Sequence, residues 1–143
     1  MGYTLGPIVI IDDDIDDREV LRDVFHDLQV PNELKFFDDC EVAYQYLEKT
    51  KEKPFLIFSD INLPRMSGAD LKRKINANDA VRQKSIPFIF LTTTSSNNAV
   101  LDAYESLAQG FFTKPNSIVA LKQMVQMILD YWKISQHPNS DLL

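Results

Sequence analysis

The sequence predicts an open, doubly wound α/β domain with a five-stranded parallel sheet and five helices, and two observations carry that expectation. Four short runs are apolar throughout, and helical stripes of apolar residues alternate with them along the chain. A strand without polar alternation needs cover on both faces, which parallel sheets obtain by laying helices over their right-handed crossovers. The length of 143 residues suits one compact domain, because it can bury a core without disulfides or metal staples.

The elements follow in order. Ile8-Val9-Ile10-Ile11 is the first run, and Val20, Leu21, Val24, Phe25 and Leu28 form the helical stripe after it. Residues 33–37 alternate more and predict an edge strand. Cys40, Ala43, Tyr44 and Leu47 then mark a second helix, with capping-box spacing from Asp38 to Glu41. Phe55-Leu56-Ile57-Phe58 precedes a third helix, signalled by the same spacing from Ser67 to Asp70. Phe88-Ile89-Phe90-Leu91 precedes a stripe of Val100, Tyr104, Leu107 and Ala108. Gly110-Phe111-Phe112-Thr113 is the weaker fifth strand. The last helix carries Leu121, Met124, Val125, Ile128 and Trp132 behind Ser117 as N-cap. One domain is expected over residues 1–134, with a loosely held tail over 135–143. No repeat, low-complexity tract or Gly/Ser linker interrupts the pattern, and no second, output domain is expected.

Charge narrows the partners. A formal charge of −6 and a pI near 4.8 argue against direct nucleic-acid binding, which relies on Lys and Arg neutralising phosphates. The triplet Lys72-Arg73-Lys74 reads as a solvated helix face. No apolar run approaches the roughly 18 residues of a membrane span, and residues 1–6 lack the basic-then-apolar pattern of a secretory leader. A cytoplasmic protein without membrane insertion is therefore expected. The single cysteine, Cys40, cannot form an internal disulfide and reads as a small buried hydrophobe. His26 and His137 are far apart, without companion ligands, and read as surface residues.

In open α/β sheets, ligands bind beyond the carboxyl ends of the strands. Those positions hold Asp12-Asp13-Asp14 after the first strand, Asp60 after the third, Thr92-Thr93-Thr94 after the fourth and Lys114-Pro115 after the fifth. Carboxylates gathered at one edge repel one another unless a cation lies among them, and oxygen-only ligation suits Mg²⁺. Asp14, Asp16 and Asp17 read instead as an acidic first helical turn favoured by the helix dipole.

Taken together, these segments resemble the CheY-like receiver domains of two-component signalling over nearly the whole chain. Ile10-Ile11-Asp12-Asp13-Asp14 is similar to the acidic pair after strand one. Asp60-Ile61-Asn62-Leu63-Pro64-Arg65-Met66-Ser67-Gly68 resembles the phospho-acceptor loop, Thr92 the hydroxyl position, Phe111 the switch aromatic and Lys114-Pro115 the Lys-Pro pair, commonly cis. The resemblance implies a flavodoxin-like strand order 2-1-3-4-5 and a stand-alone response regulator with Asp60 as nucleophile. It implies Mg²⁺ held directly by Asp13, Asp60 and the Asn62 carbonyl, with Asp12 acting through water. Lys114 and Thr92 would offset phosphoryl charge. The implied partners are a sensor histidine kinase or histidine phosphotransfer protein, and a downstream protein or second copy engaged through the fourth helix, fifth strand and fifth helix. By the same resemblance, the domain assists its own phosphorylation and dephosphorylation rather than turning over a metabolite. Two positions depart from the family pattern: Thr93, where a smaller residue is common, and Asn116, where a hydrophobic one is. The long polar stretch over residues 76–85 resembles the stand-alone receivers paired with bacterial phytochromes.

A rival reading takes residues 8–14 as the strand and Asp-x-Asp of a haloacid-dehalogenase phosphatase, which moves the nucleophile to Asp12. The later acidic pair of such enzymes is missing, and Asp60 is left without a role. A receiver-shaped module that signals without phosphorylation is a second rival, opposed by the intact acidic set. Flavin binding is opposed by the acidic loop after strand one, which would repel a cofactor phosphate.

Overall fold

Successive side chains of a strand point to opposite faces, so a run such as Ile8-Val9-Ile10-Ile11 needs an apolar layer on each side. The computed structural model describes residues 6–93 and 96–139. Its elements are β1 (Ile8–Ile11), α1 (Ile15–Asp27), β2 (Leu34–Phe37), α2 (Cys40–Lys49), β3 (Leu56–Ser59), α3 (Gly68–Ala77), α4 (Asp79–Arg82), β4 (Phe88–Thr92), α5 (Asn97–Glu105), β5 (Gly110–Thr113) and α6 (Ile118–Ile134). The five strands pair in parallel in the order β2-β1-β3-β4-β5. Ile8, Ile10, Leu56, Phe58 and Ile89 pack on Leu21 and Phe25 of α1 and on Val125 and Ile128 of α6. Val9, Ile11, Ile57 and Phe90 pack on Leu47 of α2 and on Leu71 and Ile75 of α3. Each such side chain contributes about 1.5–3 kcal/mol by leaving water, so the two layers lock the register.

Register is what places the site. Ile11 of β1 lies opposite Ser59 of β3, and Thr92 of β4 opposite Thr113 of β5. Asp12, Asp60 and Lys114 therefore each emerge one residue beyond a paired strand end. Side-chain caps set the helix starts. Asp14 accepts from the N–H groups of Asp16 and Asp17, while Ser67 and Ser117 accept from Asp70 and Ala120. The α2 cap is Asp39 rather than Asp38, and β3 begins one residue later than the apolar run.

The described residues form six helices rather than five. The addition, α4, is a single turn capped by Asn78 that buries Val81, too short to show a helical period in the sequence. The third predicted stripe, Val100, Tyr104, Leu107 and Ala108, is also corrected: α5 turns Ala103 inward and leaves Tyr104 exposed, while Leu107 lies past its end at φ 68°. Lys72 is not on a solvated face. It shares the spacing of Gly68, Leu71 and Ile75, so its stem is buried with theirs.

The segment after α6 is held through Asn139. His137, read from the sequence as a surface residue, is 2% exposed and stacks on Phe55 with ring centroids 5.0 Å apart. Its Nε2–H donates to the Phe55 carbonyl at 2.6 Å, its Nδ1 accepts the Asn139 N–H at 3.0 Å, and Asn139 Nδ2 donates to the Lys84 carbonyl at 2.7 Å. These contacts admit only the neutral Nε2–H tautomer.

Burial holds the His137 imidazole below its ordinary pKa of 6.5, with the hydrogen bond to the Phe55 carbonyl acting in the opposite direction. As pH falls below that value the unfolded chain takes up the proton first. The stabilisation is therefore full above pH 6.5 and declines as pH falls toward the folded-state pKa. His137→Ala is expected to lower unfolding free energy by about 1–3 kcal/mol at high pH. In urea titrations the gap between wild type and variant should narrow from pH 8 to pH 5, and a constant gap would refute the neutral latch.

Candidate functional site

Four strand ends deliver polar side chains to one edge of the sheet. The Asp12 N–H donates to the Phe37 carbonyl at 3.0 Å, the Asp60 N–H to the Ile11 carbonyl at 2.9 Å, and the Lys114 N–H to the Thr92 carbonyl at 2.7 Å. Each of these residues thus continues a ladder, and its Cα is as fixed as the sheet. Asp60 is half-buried. Its Oδ1 accepts from Thr92 Oγ1 at 2.5 Å and from the Asn62 N–H at 3.2 Å, while its Oδ2 lies 3.9 Å from Lys114 Nζ. Lys114, with its side chain 8% exposed, donates from Nζ to Asp12 Oδ2 at 2.6 Å and to Asp17 Oδ2 at 3.1 Å.

Asp12 is 2% exposed, and Asp14 N–H donates to its Oδ1 at 3.0 Å. With both oxygens engaged in the interior, it is badly placed to attack a substrate, which removes the support for Asp12 as a nucleophile. Burial pushes its carboxyl above the ordinary carboxylate range against the opposing pull of Lys114, and the nearby Asp60 adds to the rise. Burial alone would draw the Lys114 ammonium down, but Asp12 and Asp17 outweigh it and hold its pKa above the ordinary lysine value. The two shifts differ in source: burial raises Asp12, while the carboxylates of Asp12 and Asp17 raise Lys114.

One carboxylate oxygen from each of Asp12, Asp13 and Asp60 lies within 4.8 Å of the others. Asp13 is exposed, which leaves the group open on one side. Such an all-oxygen set fits a hard divalent cation, whose charge would relieve the repulsion.

Asp12, Asp13, Asp60, Thr92 and Lys114 converge, and Asn62 joins them through its backbone N–H. Thr93 is exposed beside a cavity of about 270 Å³ that Asp17, Lys114 and Asn116 also line. Thr94 lies outside the described residues. Phe111 stays apart, half-buried opposite Phe90 with ring centroids 6.2 Å apart. The Lys114–Pro115 peptide bond is trans, where the resemblance implied cis.

Sequence reasoning missed Asp17. It was read as a solvated first-turn residue, as Asp14 and Asp16 are, yet it meets Lys114 from 97 positions away. No local spacing signals it, because its partner Lys114 lies on another element. Two backbone supports also escaped notice. Ser59 Oγ donates to the Asp60 carbonyl at 2.7 Å, and a Cβ on Gly68 would lie 2.3 Å from that same carbonyl oxygen. Glycine is needed there for close approach, since its N–H closes the loop onto the Ile61 carbonyl at 2.9 Å.

Comparison with known proteins agrees with this geometry. A match to the response regulator receiver domain family runs over residues 8–126. The response regulator Rcp1 of Synechocystis sp. is 28% identical over 130 residues, spanning 87% of each chain. The solved Mn²⁺-bound form of Rcp1 is similar in structure, with a TM-score of 0.75, 26% identity and coverage of 90% of this chain and 94% of that one. The phosphorylated cyanobacterial phytochrome response regulator RcpA shares the fold, with a TM-score of 0.82 at 20% identity over 94% of this chain and 99% of that one.

Gly68→Ala tests the loop support. The added methyl would also lie 2.7 Å from the Phe90 ring, so the loop must shift. A loss of about 1–3 kcal/mol is expected in urea unfolding, with amide shifts at Asp60 and Asn62. An unchanged midpoint and unchanged amides would show that the close approach imposes no constraint.

Proposed function

The chain belongs to the response regulator receiver domain family, and from that premise we propose that Asp60 accepts a phosphoryl group from phosphohistidine on a sensor histidine kinase or histidine phosphotransfer protein. The observation that carries this reading is the setting of the Asp60 carboxylate, held by Thr92 on one oxygen, facing Lys114 with the other and sharing an edge with Asp12 and Asp13. A carboxylate oxygen of Asp60 attacks phosphorus, the P–N bond breaks, and its electron pair stays on the imidazole nitrogen. The product is an acyl phosphate. Lys114 and the Thr92 hydroxyl hold the equatorial phosphoryl oxygens, and Asp17 keeps the ammonium turned into the site.

Asp12, Asp13 and Asp60, with the Asn62 carbonyl, are the residues that would hold Mg²⁺, which supplies charge compensation and alignment for the phosphoryl oxygens. The manganese-bound form of Rcp1 supports a divalent ion at such a site. Water attacks the phosphorus, the P–O bond to Asp60 breaks, and inorganic phosphate leaves with the Asp60 carboxylate restored; by holding the phosphoryl oxygens, Lys114 and Thr92 let the domain assist its own dephosphorylation and act as a signalling switch in the cytoplasm. No helix among the described residues is long and apolar enough to cross a membrane.

Output runs through the face made by α5, β5 and α6, where a downstream protein or a second copy binds. Drawing the Thr92 hydroxyl from Asp60 toward a phosphoryl oxygen opens room near the half-buried Phe111, and the exposed Thr93 biases that exchange through its bulk.

With Mg²⁺ and acetyl phosphate, intact-mass analysis is expected to show one added phosphoryl group, labile to hydroxylamine and absent from Asp60→Asn. Amide exchange over the α5, β5 and α6 face should change on labelling and lose that response in Phe111→Ala. Labelling of Asp60→Asn to the wild-type extent would overturn the assignment.

Calorimetric titration separates the metal from the phosphoryl contacts. Asp13→Ala should weaken Mg²⁺ binding at least tenfold, about 1.4 kcal/mol, whereas Lys114→Ala should retain it. Saturating Mg²⁺ should also raise wild-type unfolding free energy, by about 2.7 kcal/mol at a hundred times Kd. Wild-type affinity in Asp13→Ala would exclude this ligand set.

A further inference from the structure

Away from the acidic edge, beside the start of β4, a cavity of about 270 Å³ is lined by Leu47, Lys72, Ile75, Val81 and Trp132, with the partly solvated Arg82 among its further wall residues. Lys72 is 8% exposed, and its ammonium donates to Asn76 Oδ1 at 2.8 Å while the Asn76 amide is itself turned to the Ser106 carbonyl. Among the described residues no carboxylate pairs with it. An ammonium has three donors, and Asn76 fills one of them in a part-buried setting, which leaves two for water or an anion. Lys114, the other deeply placed cation, is met by two carboxylates. Lys72 also occupies an inward position of α3 between Leu71 and Ile75, where an apolar side chain would serve packing alone. Burial lowers its pKa, as expected for an uncompensated charge.

We propose that this cavity binds a small organic acid, an apolar body bearing one carboxylate, whose charge pairs with Lys72 while the body lies against Leu47, Ile75, Val81 and Trp132. The apolar wall supplies the driving force, and the lysine supplies selection for the anion over its neutral analogue. Arg82 on the same wall is already ion-paired to Asp79, so Lys72 is the cation left for a ligand carboxylate.

Benzoate and benzamide, nearly equal in shape and different in charge, test this on the full chain without Mg²⁺. Methyl NMR of Leu47, Ile75 and Val81 and the fluorescence of Trp132, the only tryptophan, report occupancy. Benzoate is expected to shift these methyls and to bind at least tenfold more tightly than benzamide. Lys72→Met is expected to stay folded and to bind the two alike. Equal binding of both compounds by the wild type, retention of the preference in Lys72→Met, or no response would overturn the site. So would shifts confined to Met124 and Met127, which line an adjoining apolar groove along α6; Trp132 is on the wall of both, so the Leu47, Ile75 and Val81 methyls decide which is filled. The two compounds compared on the wild-type chain decide the matter even if the variant fails to fold.

Discussion

Lys114 Nζ lies 2.6 Å from Asp12 Oδ2 with both side chains out of water, and Asp17 and Asp60 approach the same ammonium at 3.1 and 3.9 Å. This ion pair ties β5 to β1 across two intervening strands. Removing one partner of such a buried pair costs about 3–5 kcal/mol, because the other charge is left uncompensated. The carboxylates still outnumber the cation that holds them. That imbalance makes the edge fit a divalent ion, and it is the setting on which the proposed phosphoryl transfer rests.

Precision comes from the sheet rather than from the loops. Asp12, Asp60 and Lys114 each leave their strands one step after a paired position, Thr92 is itself paired, and the two buried layers prevent slippage, since a one-residue shift would send every strand side chain to the wrong face. The glycine at Gly68 and the Ser59 hydroxyl then pin the backbone of Asp60 from behind. The proposed phosphoryl transfer would ask little of the protein beyond placement and charge, and here both derive from strand ends.

Away from that edge the molecule is held differently. His137 links the segment after α6 to the residue before β3 through a neutral imidazole, and Lys84 is capped onto the carbonyl of Thr50 at 2.9 Å. Lys84 there meets carbonyls and Lys72 one amide oxygen, where Lys114 at the other edge meets carboxylates. The two regions therefore differ in electrostatic character although one sheet runs through both.

The sequence by itself determined β1, β3 and β4, because their apolar runs exceed anything a loop would carry, and most helix starts, because Asp14, Ser67 and Ser117 cap their own neighbours. It also indicated which strand ends bear acid, hydroxyl and ammonium groups, and so the family. All of these are local signals, readable within a few residues. The tertiary structure alone decided the pairing of Asp17 with Lys114 across 97 positions, the seat of His137 on Phe55 across 82, and the inward turn of Lys72. It also decided that α5 would cover the sheet with Ala103 and leave Tyr104 outside. Those outcomes depend on how far each helix lies from the sheet and in which rotation, quantities set by the packing of both layers together and absent from any single window of the chain.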